Sequence, residues 1–148
     1  PSREAILMQI RAQVSDWEYR SSHRALSKHE LCQLHGNKAA VIGGHTQGHA
    51  SLGALTDQEQ EYEISQSLHY LTETLQAAPK HFSFPFGTRH DYNQTSVELL
   101  RKNNIQFNAA NYPDVVTDRS NQLAFPRFLV RDWNKEQFRQ QLNSFVKY

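Results

Sequence analysis

Apolar residues recur at helical spacing in several stretches of the chain. Ile6, Leu7, Ile10, Val14 and Trp17 fall on one face of a first helix that Ser2 can cap, and Trp17 is expected in the core. Ser27 and Glu30 have the spacing of a capping box ahead of Leu31 and Leu34, with Gly36 where a second, short helix would end. Thr56 and Glu59 repeat the signal before the stripe Ile64, Leu68, Leu71 and Leu75, which runs until Pro79. Val97 and Leu100 suit a fourth helix ending near Asn103 and Asn104, and Asn134 can cap a fifth carrying Phe138, Leu142 and Val146.

Between these helices lie short extended patterns. Ala39 to Ile42 is a compact apolar run closed by Gly43 and Gly44, and Phe82 to Phe86 is aromatic and stopped by Pro85 and Gly87. Ile105, Phe107 and Ala109 alternate as a third strand, and Leu123 to Val130 reads as a fourth. Strands alternating with helices predict an α/β fold with a mostly parallel sheet and outer helices, carrying function at the strands' C-terminal ends. About four such units fill only part of a closed eight-fold barrel, which takes about 250 residues. The expected architecture is therefore a partial or distorted (β/α) barrel, with residues 1–148 forming one domain.

Composition narrows the partners. The 16 Lys and Arg residues nearly balance 15 Asp and Glu, and no long run of one sign indicates a nucleic-acid partner or an anionic membrane. No apolar stretch approaches the roughly 18 to 20 residues of a membrane span, and the first residues lack the pattern of a signal peptide. Cys32 is the only cysteine, which rules out an internal disulfide and a cysteine-based zinc site. The chain starts at Pro1 and its only methionine is Met8, so it is expected to begin inside a longer reading frame.

The sharpest chemical feature is His45-Thr46-Gln47-Gly48-His49, directly after the glycine-terminated strand. Imidazoles four residues apart can face the same way on a helical turn and share a divalent ion. Taken alone, the same spacing fits two polar histidines that cap a loop. Together with Phe82-Ser83-Phe84-Pro85-Phe86-Gly87, however, it resembles the polysaccharide deacetylase family, the NodB-homology group of carbohydrate esterases. The second motif of that family is His-Ser/Thr-x-x-His after a buried strand, and its third ends in Pro-aromatic-Gly. Leu123 to Arg127 and Trp133 look like a segment of one branch, so the resemblance runs from about Leu26 to Trp133.

The resemblance implies that His45 and His49 are two of three protein ligands to a divalent ion, zinc first, with cobalt, nickel or manganese as alternatives. It implies hydrolytic removal of N-acetyl, or O-acetyl, groups from a polysaccharide or other glycan. Phe86 matches the position whose backbone N–H helps hold the oxyanion, while Phe84, Pro85 and Trp133 are candidates to line the substrate groove. The family's first motif, an Asp-Asp strand end that supplies the base and the third ligand, has no counterpart here, since no Asp-Asp pair occurs and Asp16, Asp57, Asp91, Asp114, Asp118 and Asp132 lie in unrelated contexts. The chain is therefore expected to be the C-terminal part of such a domain, with little activity alone and its open sheet edge covered by a preceding segment or by self-association. The late family histidine is also unmatched, as no histidine follows His90.

Ser83 stands where many members carry an arginine, and Arg127, beside Pro126, is expected to reach the same pocket from a neighbouring strand and brace a carboxylate; a surface arginine on an edge strand is the alternative. His23, His29, His35, His69, His81 and His90 have no partner at ligand spacing and receive no function. The rival to an enzyme is a non-catalytic glycan-binding domain with a groove of Phe84, Phe86 and Trp133. A location in the cell envelope or outside the cell rests on the resemblance alone.

Overall fold

A computed structural model describes residues 2–14 and 21–145. Its elements are α1 (Arg3–Gln13), α2 (Lys28–Gly36), α3 (Asp57–Leu75), β1 (His81–Ser83), α4 (Gln94–Lys102), β2 (Phe107–Ala109) and α5 (Lys135–Phe145), with single 3-10 turns at Ser21–His23 and Leu52–Ala54. The expectations for Trp17 and Val146 lie outside the described residues.

Helix starts are set locally. Ser2 accepts a bond from the Ala5 N–H at the head of α1. Complete capping boxes open α2 at Ser27 and Glu30, α3 at Thr56 and Glu59, and α4 at Asn93 and Ser96. Asn134 and Gln137 exchange the same pair of bonds ahead of α5. Arg24 adds a two-pronged bond to Glu30, at 2.7 and 2.6 Å, so its hydrogen bonds and charge hold that carboxyl well below the usual carboxylate range. Gly36 closes α2 from inside the helix rather than beyond it, since Asn37 is the extended capping residue.

The sheet is parallel and narrow. β1 pairs with β2 in the register His81 with Phe107, Phe82 with Asn108 and Ser83 with Ala109. Two further segments join through single bridges, Gly44 to Phe82 and Phe125 to Ala109, giving the order Gly44 segment, β1, β2, Phe125 segment. The strand expected over 39–42 thus has no paired residue, the bridge falling two residues later at Gly44, and that expected over 123–130 shrinks to the single bridged residue Phe125. Val41 is 71% exposed, and Leu129 and Val130 are more than half exposed. These residues have strand-like side chains but no ladder to hold them, and β structure is formed by pairing.

The core lies between the sheet and the helices α3 and α4. Leu52, Ile64, Leu68, Phe82, Phe84, Val97, Leu100 and Ile105 form it. A fully buried polar pair crosses it, with the Ser96 hydroxyl donating to Gln60 Oε1 at 2.6 Å and Gln60 Nε2 donating to the Leu55 carbonyl at 3.2 Å. The alternation expected in β2 differs from what is found. Asn108 and Ala110 are buried while Phe107 is 41% exposed, because Phe107 lies on the outer face, stacked with His81 and Phe125. The apolar stripes of α1 and α5 stay open, with Ile10 at 53% and Leu142 at 47% exposure.

Candidate functional site

Because the four segments run parallel, their C-terminal ends open on one side, and His45, Phe86, Asn111 and Arg127 follow those ends. Gly44 makes the last ladder bonds of its segment, N–H to the His81 carbonyl at 2.9 Å and carbonyl from the Ser83 N–H at 3.0 Å. A Cβ there would lie 2.6 Å from Phe82 Cδ2 and 2.8 Å from Leu68 Cδ2, so only glycine lets the segment close onto the core. The next residue turns its ring over β1, and His45 Nδ1 sits 2.6 Å from the Ser83 carbonyl oxygen. A carbonyl oxygen only accepts, so Nδ1 is the donor, and in the neutral ring Nε2 is the nitrogen that keeps its lone pair.

The motif does not form the helical turn its spacing allows. Thr46 and His49 have φ of 66° and 56°, and these two left-handed residues curl the segment into a loop. The rings still converge, with centroids 4.8 Å apart at an angle of 73°. Glu63 of α3 fixes the loop from below, its carboxylate accepting the Gly48 N–H at 2.6 Å and its carbonyl the Gln47 N–H at 3.0 Å. A Cβ on Gly48 would lie 2.9 Å from Glu63 Oε1. Sequence reading missed Glu63, and the glycine inside the motif was the one local sign of a close neighbour. The Thr46 hydroxyl is buried with no partner among the described residues, beside a cleft of about 350 Å³ between this loop and α3.

The second motif makes a tight turn. The Gly87 N–H reaches back to the Pro85 carbonyl at 2.6 Å, with Phe86 at φ 58° and Gly87 at φ 74°. Left-handed backbone at a bulky residue is strained and persists only when its surroundings hold it. Asn111 does so, donating its side-chain amide to the Phe86 carbonyl at 3.0 Å and its backbone N–H to the Gly87 carbonyl at 2.7 Å. The Phe86 ring is 56% exposed and meets His49 edge-on at 5.0 Å, so it is not a core side chain.

The neighbours expected in a substrate groove sit elsewhere. Phe84 is 1% exposed and stacks on Tyr92 at 4.3 Å, and Pro85 is fully buried, so neither offers a face to a ligand. The alternation of a parallel strand turns Phe84 into the core and leaves Phe86 beyond the strand end. Trp133 is half-buried, and its ring contact among the described residues is with Phe145 of α5. Arg127 comes from two segments away rather than one, because β2 lies between. Its Nε donates to the Ala110 carbonyl at 2.6 Å, and Nη2 reaches to 3.4 Å from Ser83 Oγ. Ser83 thus has its carbonyl on His45 and its hydroxyl beside the guanidinium.

Two converging imidazoles, one with a fixed tautomer, are a donor set suited to a divalent cation. Among the described residues no three His, Cys, Asp or Glu side chains gather closely enough to hold one.

Comparison with known proteins agrees with the fold. Among the solved structures that resemble the chain are a deacetylase from Streptococcus pyogenes, PplD, in complex with acetate (18% identity, TM-score 0.68, 81% of this chain and 52% of that one), BC0361, a polysaccharide deacetylase from Bacillus cereus (18%, 0.67, 94% and 47%), and IcaB from Ammonifex degensii (16%, 0.65, 92% and 58%). The chain spans about half the length of each of these proteins. No curated protein matches it by sequence. The profile of the family described as polysaccharide deacetylase matches residues 14–108. That stretch is most of the chain and contains both the histidine loop and the Pro-Phe-Gly turn, and so this protein belongs to the polysaccharide deacetylase family.

Proposed function

We propose that this chain is the C-terminal part of a distorted (β/α) barrel whose whole removes N-acetyl, or O-acetyl, groups from a polysaccharide or other glycan. The observation that carries the reading is the meeting of His45, His49 and Phe86 at one mouth, with His45 Nδ1 tied to the Ser83 carbonyl and Nε2 left for a ligand role. Family members are typically metal-dependent. In this reading His45 and His49 hold a zinc ion, or cobalt, nickel or manganese in its place. Such an ion, when bound, polarises an acetyl carbonyl and lowers the pKa of water. The chain's own residues would then do three things. His45 and His49 supply two nitrogens, the Phe86 backbone N–H steadies developing negative charge on the acetyl oxygen, and Arg127, beside Ser83, braces a carboxylate brought to the same pocket.

No third His, Cys, Asp or Glu gathers with the two histidines among the described residues, and in this reading the third ligand and the base come from elsewhere in the whole domain, of which the chain covers about half in the solved deacetylases. One of those was solved with acetate, the acid that acetyl hydrolysis releases. Of the three aromatics expected in a non-catalytic sugar-binding groove, Phe84 is buried and Trp133 packs on α5. Only Phe86 remains at the mouth, and this weighs against the binding-only reading.

Calorimetric titration with zinc tests the proposal. The unaltered chain should bind one ion, and a His45→Ala, His49→Ala double variant should bind it at least about tenfold more weakly. Equal binding by the two would remove the metal reading.

A further inference from the structure

The loop after His49 and the loop after Gly87 are joined by one side chain that the mechanism above does not use. Asp91 accepts the Ser51 hydroxyl on Oδ1 at 2.8 Å, and on Oδ2 it accepts both the Thr88 N–H at 2.9 Å and the Thr88 hydroxyl at 2.5 Å. Its carbonyl accepts the Gly53 N–H at 2.9 Å, so both ends of the residue grip the histidine side of the joint. Gly53 is pressed so closely on this turn that a Cβ would collide with the His90 carbonyl oxygen. Ser51 lies two residues after His49, and Thr88 two residues after Phe86. Burial pushes the Asp91 carboxyl up, yet the bonds from Thr88 and Ser51 outweigh it and hold the group below the usual range.

We infer that Asp91 is a positioning residue that sets the His49 ring against the Phe86 turn. The inference rests on the reading of His45, His49 and Phe86 as one site, and it adds a reason for their spacing. Each loop contains left-handed residues, Thr46 and His49 in one and Phe86 in the other, which the free chain would relax. Glu63 restrains the first loop at Gly48, and Asn111 restrains the second at Phe86 and Gly87. Neither of these ties one loop to the other. Asp91 does, which makes it the lever on the 5.0 Å separation of the two rings. Local sequence context hid it, because Asp91 belongs to no motif and its partners lie on both sides of a long helix.

Proton NMR of the metal-free chain tests the inference directly. Cross-relaxation between the His49 and Phe86 rings should be plain in the unaltered chain and lost in Asp91→Ala, while signals of the core, such as Leu100 with Ile64, persist. Ser51→Ala removes only the arm toward His49, and it serves if Asp91→Ala fails to fold. It should weaken the ring contact in the same way. Zinc affinity should fall by roughly tenfold in either variant. A folded variant that keeps the ring contact and the affinity would overturn the positioning role. The metal reading is judged apart from this, since an unaltered chain that takes up no zinc would sink it while the ring contact still reports on Asp91.

Discussion

At the scale of single residues, Gly44 is where the core meets the site. A methyl group there would enter the space of Phe82 and Leu68, both in the core, while its backbone carries the bridge that delivers His45. Overpacking of this kind costs about 1 to 3 kcal/mol. We predict that Gly44→Ala lowers thermal stability by that amount and also weakens zinc binding, because the adjacent His45 must shift with the segment. Denaturation followed by circular dichroism, with and without zinc, checks this, and an unchanged midpoint would show that the two side chains give way freely. The neighbourhood of His45, His49 and Phe86 could be read from two short motifs, since each motif sits at the end of a predicted extended run and parallel strands end together. Which aromatic faced the mouth could not be read so simply. The alternation that buries Phe84 and frees Phe86 depends on where β1 stops, and the run Phe82 to Phe86 is apolar or aromatic throughout except for Ser83.

At the scale of elements, the helices were legible because their start signals lie within four residues of sequence. The boxes at Ser27 and Thr56 and the cap at Asn134 act where they stand. Strands were less so, since Ala39 to Ile42 and Leu123 to Val130 have strand composition but no ladder residue in the first and only Phe125 in the second, and a ladder requires a neighbour that local pattern does not specify. The Gln60 and Ser96 pair was invisible for the same reason, being a contact across two helices. It nonetheless fixes how α3, which carries Glu63, sits on α4. Ser96→Ala would leave Gln60 Oε1 buried without its donor, at a cost of about 1 to 3 kcal/mol. Part of that loss comes from the capping bond that the Asn93 N–H donates to the Ser96 hydroxyl. Urea unfolding should show a lower midpoint with an unchanged slope. A Gln60→Leu, Ser96→Ala double variant should recover part of the loss, because no polar atom of the pair is then left orphaned.

At the scale of the whole molecule, the proposed reading makes the site half of a catalytic arrangement. The Gly44 segment has β1 on one side and no paired strand on the other among the described residues, and the two histidines follow its end. Two imidazoles can attract an ion, but hydrolysis also needs a group that takes a proton from water as it attacks. A placed base contributes about 10² to 10⁴ in rate. Glu63 is no candidate for that task, as its carboxylate is held by the Gly48 N–H behind the loop, and Asp91 is engaged by Ser51 and Thr88. Arg127, which reaches to Ser83 Oγ, has no free lone pair with which to take up a proton. The 148-residue chain, loaded with zinc, should therefore release acetate from an acetylated oligosaccharide no faster than zinc in buffer does, and the His45→Ala, His49→Ala variant should behave identically. Turnover that clearly exceeds the buffer rate and disappears in the double variant would mean that this chain already contains its own base, and the search would return to the carboxylates nearest His45.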